Sequence, residues 1–271
     1  MIIKFFIFLI TISMFLHANI NVVVSILPQK SFVKSIGGDK VNISVMVKPG
    51  NSPHTYEPKP SQMKDISKAD LYFSIGVEFE NSWLSKFQNQ NQTMKIIALD
   101  KNILKNYISK NSLDPHIWTI PSNIKIIAKN ILDNLILADK KDEKYYRTNY
   151  INFINHVDSI DTKIKKILKN TKPKSKFMVF HPSWGYFAKE YNLIQLPIEI
   201  DGKSPKPKDI VKIIKTAKKE NIKAIVAAPE FSDKIAKQIA KELKINVIKI
   251  SPLNPNWENN LLKLAKTIAY Q

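Results

Sequence analysis

Three histidines stand where they could hold a metal ion. His54 lies in "VKPGNSPHTYEPKPSQM" (47–63), His116 in "DPHIW" (114–118) and His181 in "FHPSWGYFAKEYNL" (180–193). His54 and His181 each follow an apolar run that reads as a strand, "NISVMV" (42–47) and "KFMVF" (176–180). Loops at the C-terminal ends of parallel strands converge on one crevice, so side chains far apart in sequence can meet there. Neutral imidazole is the commonest protein ligand for zinc, and three converging imidazoles are first of all a metal site. The other two of the five histidines read differently. His17 falls in an apolar N-terminal run, and His156 sits on a helical stretch where a surface position is expected.

Such a site needs two sets of strands to carry it. "NVVVSI" (21–26), "NISVMV", "LYFSIG" (71–76) and "KIIAL" (95–99) alternate with helical stretches at 28–37 and 61–69. This is the βαβ rhythm of a parallel sheet. The rhythm stops at 123–170, where Ile151, Ile154, Val157, Ile160, Ile164 and Ile167 recur at helical spacing. The stretch "ADKKDEKYY" (138–146) is placed to break that helix in two. The rhythm resumes with "FMVF", "AIVAA" (224–228) and "NVIKI" (246–250), with helices expected at 207–219, 232–243 and 257–269. The fold class expected is therefore α/β, with two lobes of mainly parallel sheets flanked by helices and joined by a long rigid helix. The expected division is an export signal at 1–18, a first lobe at 19–122, a linking helical segment at 123–172 and a second lobe at 173–271.

The N-terminal run from Phe5 to Leu16, behind Lys4 and ahead of Ala18, is short for a bilayer span and reads as a cleavable export signal. The 271 residues include no cysteine. Disulfides and a lipid-anchoring cysteine are thus both missing, which points to a soluble periplasmic protein held by packing alone. The formal net charge is +19. Nucleic acid is nevertheless not the expected partner, because Arg147 is the only arginine, and arginine is the side chain suited to forked phosphate and base contacts. The scattered lysines fit an AT-rich coding bias instead.

Taken together, these stretches resemble the zinc/manganese substrate-binding proteins of ABC transporters, the ZnuA-like group. "IEIDGKSPKPKDI" (198–210), "ISPL" (250–253) and "ADLYFSIGVEFENSW" (69–83) extend the likeness over nearly the whole chain. The resemblance implies a non-enzymatic, monomeric carrier that captures Zn(II) as cargo between its lobes and passes it to an ABC transporter permease in the inner membrane. It implies that His54, His116 and His181 are metal ligands. Manganese-type members tend to carry a carboxylate at the third position, so His181 argues for zinc, in keeping with imidazole as a zinc donor. A manganese- or iron-binding carrier is the alternative.

The chain also departs from the family. Ser251 stands where many members have an aspartate, and Glu230 in "AAPEF" (227–231) lies two places beyond the usual glutamate. The fourth ligand is therefore a water or Glu230, with Glu78 and Glu80 as further candidates. The His/Asp-rich loop of many zinc-type members is replaced by "KNILKNYISKNSL" (101–113). Asp114 is placed to orient His116 or to begin a turn with Pro115, while Tyr56, Trp118, Trp184, Tyr186 and Phe187 are expected to wall the pocket. A zinc hydrolase could use three histidines too, but there is no HExxH motif and no clear general base. Surface display as an adhesin is disfavoured by the missing lipid-anchor cysteine.

Overall fold

The computed structural model describes residues 19–109, 112–200 and 202–270; the expected export signal lies outside them. The first sheet is built from β1 (Ile20–Val24), β2 (Val41–Val45), β3 (Leu71–Ser74) and β4 (Lys95–Ala98). All its pairings are parallel, in the order β2-β1-β3-β4. The crossovers run through α1 (Leu27–Gly37), α2 (Pro60–Ile66) and α3 (Glu78–Gln90). A two-stranded antiparallel hairpin follows, β5 (Tyr107–Ser109) with β6 (Ser112–Leu113).

Two helices then cross the molecule. They are α4 (Pro121–Ala138) and α5 (Glu143–Leu168), the latter of 26 residues. The break falls inside the stretch expected to interrupt the helix. Asp139 leaves helical geometry, and its carboxylate accepts the Lys141 N–H and the Tyr146 hydroxyl. The buried face of α5 is Tyr146, Phe153, Val157, Ile160, Ile164 and Leu168. It is rotated slightly from the expected one: Ile151 is exposed, and Ile154 and Ile167 only flank the core. Phe153 rather than an isoleucine sets the N-terminal half of the stripe.

The second sheet consists of β7 (Lys176–Val179), β8 (Ile194–Pro197), β9 (Ala224–Ala227) and β10 (Asn246–Lys249), with α6 (Gly185–Glu190), α7 (Pro207–Lys219), α8 (Lys234–Leu243) and α9 (Trp257–Ala269) around it. Its order is β10-β9-β7-β8, again all parallel. In both sheets the first strand lies between the second and the third, so the two have the same topology. Proline opens α2, α4 and α7, where its fixed φ and missing N–H cost the helix nothing.

Strand alternation assigns the second sheet's side chains to two layers. Met178, Phe180, Ile225 and Ala227 pack with Ala217 of α7 and Ala236, Ile239 and Ala240 of α8. Phe177, Val179 and Val226 face the other way and join a core that also holds β1, β3, α1, α4, α5 and α9. One apolar cluster therefore runs from the first sheet, through α5, into the second. No helix among the described residues is long and apolar enough to cross a membrane.

Candidate metal centre

The three histidines come together from three separate loops. His54 lies in the loop after β2, His116 caps the 3-10 turn Ile117–Thr119 ahead of α4, and His181 follows β7. One ring nitrogen or ligand atom from each lies within 4.8 Å of the others. The Nε2 atoms of His54 and His181 are 3.1 Å apart. Two donors on a tetrahedral zinc at ordinary Zn–N lengths would be about 3.3 Å apart. His116 and His181 are buried, and His54 is partly exposed at the mouth.

Each imidazole is held from behind by a carboxylate. His54 Nδ1 lies 2.8 Å from Glu78 Oε1, His116 Nδ1 lies 2.8 Å from Asp114 Oδ1, and His181 Nδ1 lies 2.6 Å from Glu199 Oε2. An ionised carboxylate only accepts, so in each ring Nδ1 carries the proton and Nε2 keeps its lone pair. Burial pushes the His181 pKa down against the pull of Glu199, and the neighbouring imidazoles push the same way as burial. The ring is thus kept neutral, the form that binds metal. Burial would raise the Glu78 carboxyl, but opposing contributions led by the hydrogen bond from His54 hold the group below the ordinary glutamate value.

The packing around the rings fixes their planes. Phe231 stacks on His181 with centroids 4.4 Å apart and an interplanar angle of 23°. Trp118 lies 5.5 Å from His116, and its Nε1–H donates to the Pro252 carbonyl at 2.8 Å, tying the turn after His116 to the loop after β10. Tyr186 accepts the Asn106 N–H at 3.1 Å and donates to the Asp114 carbonyl at 2.9 Å. Behind this, α6 approaches so closely that a Cβ on Gly185 would come within 2.8 Å of Asp114 Oδ2. Any larger residue there would press on the carboxylate that orients His116. Of the other expected wall residues, Tyr56 donates to Gln62, and Trp184 and Phe187 lie in the core.

The carboxylates proposed as further ligands separate by position. Glu80 is buried away from the histidines. It accepts N–H groups from Ile75 and Gly76 and the Ser25 hydroxyl, so it organises the end of β3. Glu78 serves His54. Glu230, after β9, shares the small cavity lined by all three histidines, Trp118 and Phe231, although it is outside the 4.8 Å group. Ser251 donates its hydroxyl to Glu230 Oε1. His156 is at the surface, paired with Glu258 at 2.7 Å. Sequence reasoning missed Glu199, and it offered Glu78 as a further candidate for the fourth ligand rather than as the partner of His54. The available signal was position: both follow strands, β8 and β3. The histidine cavity opens into a cleft of about 1140 Å³ walled by Glu78, Glu199, Glu230 and the β5–β6 hairpin.

Comparison with known proteins gives a consistent set. The family model for ZnuA, the periplasmic component A of a zinc-uptake complex, matches residues 22–269. A crystal structure of ZnuA is similar with a TM-score of 0.89 and 38% identity, covering 93% of this chain and 98% of that one. A putative metal-binding protein of Chlamydia trachomatis serovar D is 28% identical over 252 residues, covering 92% of this chain and 90% of the relative. A protein of Streptococcus gordonii named as a manganese ABC transporter substrate-binding lipoprotein is 28% identical over 243 residues, covering 85% and 78%.

Proposed function

The chain belongs to the ZnuA family of metal-binding, ABC transporter substrate-binding proteins, and we propose that it captures Zn(II) in the periplasm and delivers it to an inner-membrane permease. In this reading residues 19–122 and 173–271 are two lobes, 123–172 is the linking segment, and the metal sits between the lobes. The observation that carries the reading is the 3.1 Å approach of two Nε2 lone pairs, each fixed by a carboxylate on Nδ1. Two acceptors that close repel one another unless a proton or a metal ion lies between them, and a third imidazole converging on the same point favours the metal. Three imidazoles suit zinc, whereas manganese prefers oxygen-rich sites. The 38% identity to ZnuA supports the same cargo. Manganese, suggested by the S. gordonii relative, is the second reading.

His54, His116 and His181 are the ligands in this proposal, with Glu230 as the fourth. No covalent step is needed: a carrier must bind, exclude water and release, and it functions here as a monomer.

The test is a titration of the metal-stripped protein with zinc against a competing dye, repeated with manganese. One tight zinc site with much weaker manganese binding is expected. His181→Ala should weaken zinc by more than about a hundredfold, beyond the usual cost of losing an outer partner. His156→Ala should leave it unchanged. Equal effects, or preferred manganese, would overturn the assignment.

A further inference from the structure

Among the described residues four carboxylates surround the three imidazoles, and three of them hold a ring nitrogen. Glu78, Asp114 and Glu199 each hold an Nδ1, on the far edge of the ring from Nε2. A carboxylate in that position cannot also reach an ion bound at Nε2. Glu230 is the exception. Its Oε1 accepts from the Ser251 hydroxyl, while its Oε2 is buried and has no hydrogen-bond partner; Glu78 Oε2 is unpartnered too, but Glu78 is held on His54 Nδ1 and does not line the cavity shared by the three histidines. An orphaned, buried carboxylate oxygen is costly unless a cation or donor meets it, and this one borders the cavity of the three histidines.

The serine is itself held in place. Its Oγ accepts the Leu253 N–H at 3.0 Å, and its carbonyl accepts from Asn260 Nδ2 of α9 at 2.6 Å. With an oxygen lone pair already engaged by Leu253, the hydroxyl proton is the group left to bond Glu230. The loop is tied across the cavity by the Trp118–Pro252 hydrogen bond.

We propose that Ser251 is a positioning residue that makes Glu230 a one-oxygen ligand: it occupies Oε1 and leaves Oε2 to move in from outside the 4.8 Å group of imidazole nitrogens and complete a tetrahedral site with the three histidines. This deepens, and rests on, the metal-capture reading above. A hydroxyl is a weak zinc donor, but it can control how a carboxylate binds. With Oε1 occupied, Glu230 contributes one bond and the site closes at four. With Oε1 free, the carboxylate can chelate through both oxygens, and a higher-coordinate, more oxygen-rich site is less selective against manganese. Ser251 is in this sense a specificity determinant that acts through Glu230.

The experiment compares wild type, Ser251→Ala, Ser251→Thr, Glu230→Gln and the double variant Ser251→Ala/Glu230→Gln. Zinc and manganese affinities and the visible spectrum of the Co(II)-substituted protein are measured. Metal-free thermal unfolding checks that each variant folds. Ser251→Ala is expected to weaken zinc about tenfold, the scale of losing an outer partner, to narrow the zinc-to-manganese ratio and to dim the intense tetrahedral Co(II) bands. Ser251→Thr, which keeps the hydroxyl, should restore both affinity and spectrum. The double variant should be no weaker than Glu230→Gln alone, because the serine acts only through the glutamate. Wild-type affinity and spectrum in Ser251→Ala, or additive losses in the double variant, would overturn the proposal and leave zinc capture standing. Failure of the wild type to bind zinc would overturn both.

Discussion

At the scale of single residues, the site is a set of imidazole–carboxylate pairs rather than three isolated histidines. The pairs decide which nitrogen is presented, and their charge makes Nε2 a better donor. His181 and Glu199 form the most deeply buried of the pairs that bridge separate strand-end loops, so this pair gives the clearest test. Glu199→Ala should weaken zinc binding by about ten- to a hundredfold, and Glu199→Gln, which still accepts from Nδ1 but carries no charge, should lose less. Both can be read by competition with a chelating dye. Equal zinc affinity in Glu199→Ala and wild type would mean that the ring is oriented by Phe231 stacking alone. The histidines themselves were legible in the sequence because each stood beside a proline and two followed apolar runs. Of their partners only Asp114, two residues before His116, could be read there; Glu78 and Glu199 could not. Glu199 meets His181 only because β8 pairs beside β7 in register, and no spacing rule announces which carboxylate will close on which ring.

At the scale of elements, most of the fold could be read because Val- and Ile-rich runs alternate with helical stripes. What escaped has physical reasons. The helix α3 was hidden because its apolar positions, Phe79, Trp83 and Phe87, fall among polar residues. The strand β8 is four residues long, partly exposed and ends on Pro197, so it has little apolar signature. The end of β3 depends on Glu80, which burial raises to about 7 against the opposing hydrogen bonds from Ser25, Ile75 and Gly76. A carboxyl whose folded pKa lies above its ordinary 4.5 binds more protons in the folded state between those two values. Its contribution to stability is therefore fully present below 4.5 and lost as the pH rises through 7. The shift corresponds to about 3 kcal/mol. Denaturant unfolding of the metal-free protein from pH 5 to pH 8 should show Glu80→Gln gaining on wild type by roughly that amount. A constant difference across the range would show that Glu80 is already ionised in the folded protein at the lower pH.

At the scale of the molecule, two sheets of the same topology turn the C-terminal ends of their strands toward one cleft. The span between them is braced by α5 and α9, by Trp118 to Pro252 and by Ser31 to the Pro255 carbonyl at 2.7 Å. Charge is distributed less evenly than the net +19 implies. Glu78, Glu199 and Glu230 line the cleft, and no lysine or arginine is among its described lining residues. A divalent cation approaching from a distance therefore meets a net positive body, and only near the mouth does it meet carboxylates. Salt acts differently on the two. The screening length falls from about 30 Å at 0.01 M to about 10 Å at 0.1 M, which removes the long-range repulsion before the short-range attraction. The association rate of zinc, followed by stopped-flow with ionic strength set by an inert salt, should accordingly stay level or rise over that range. Glu78→Gln should lower the rate at both ionic strengths, since it removes charge close to the entering ion. A rate that falls steeply with salt would mean that the acidic mouth governs capture from long range and that the lysines elsewhere are irrelevant to the approach.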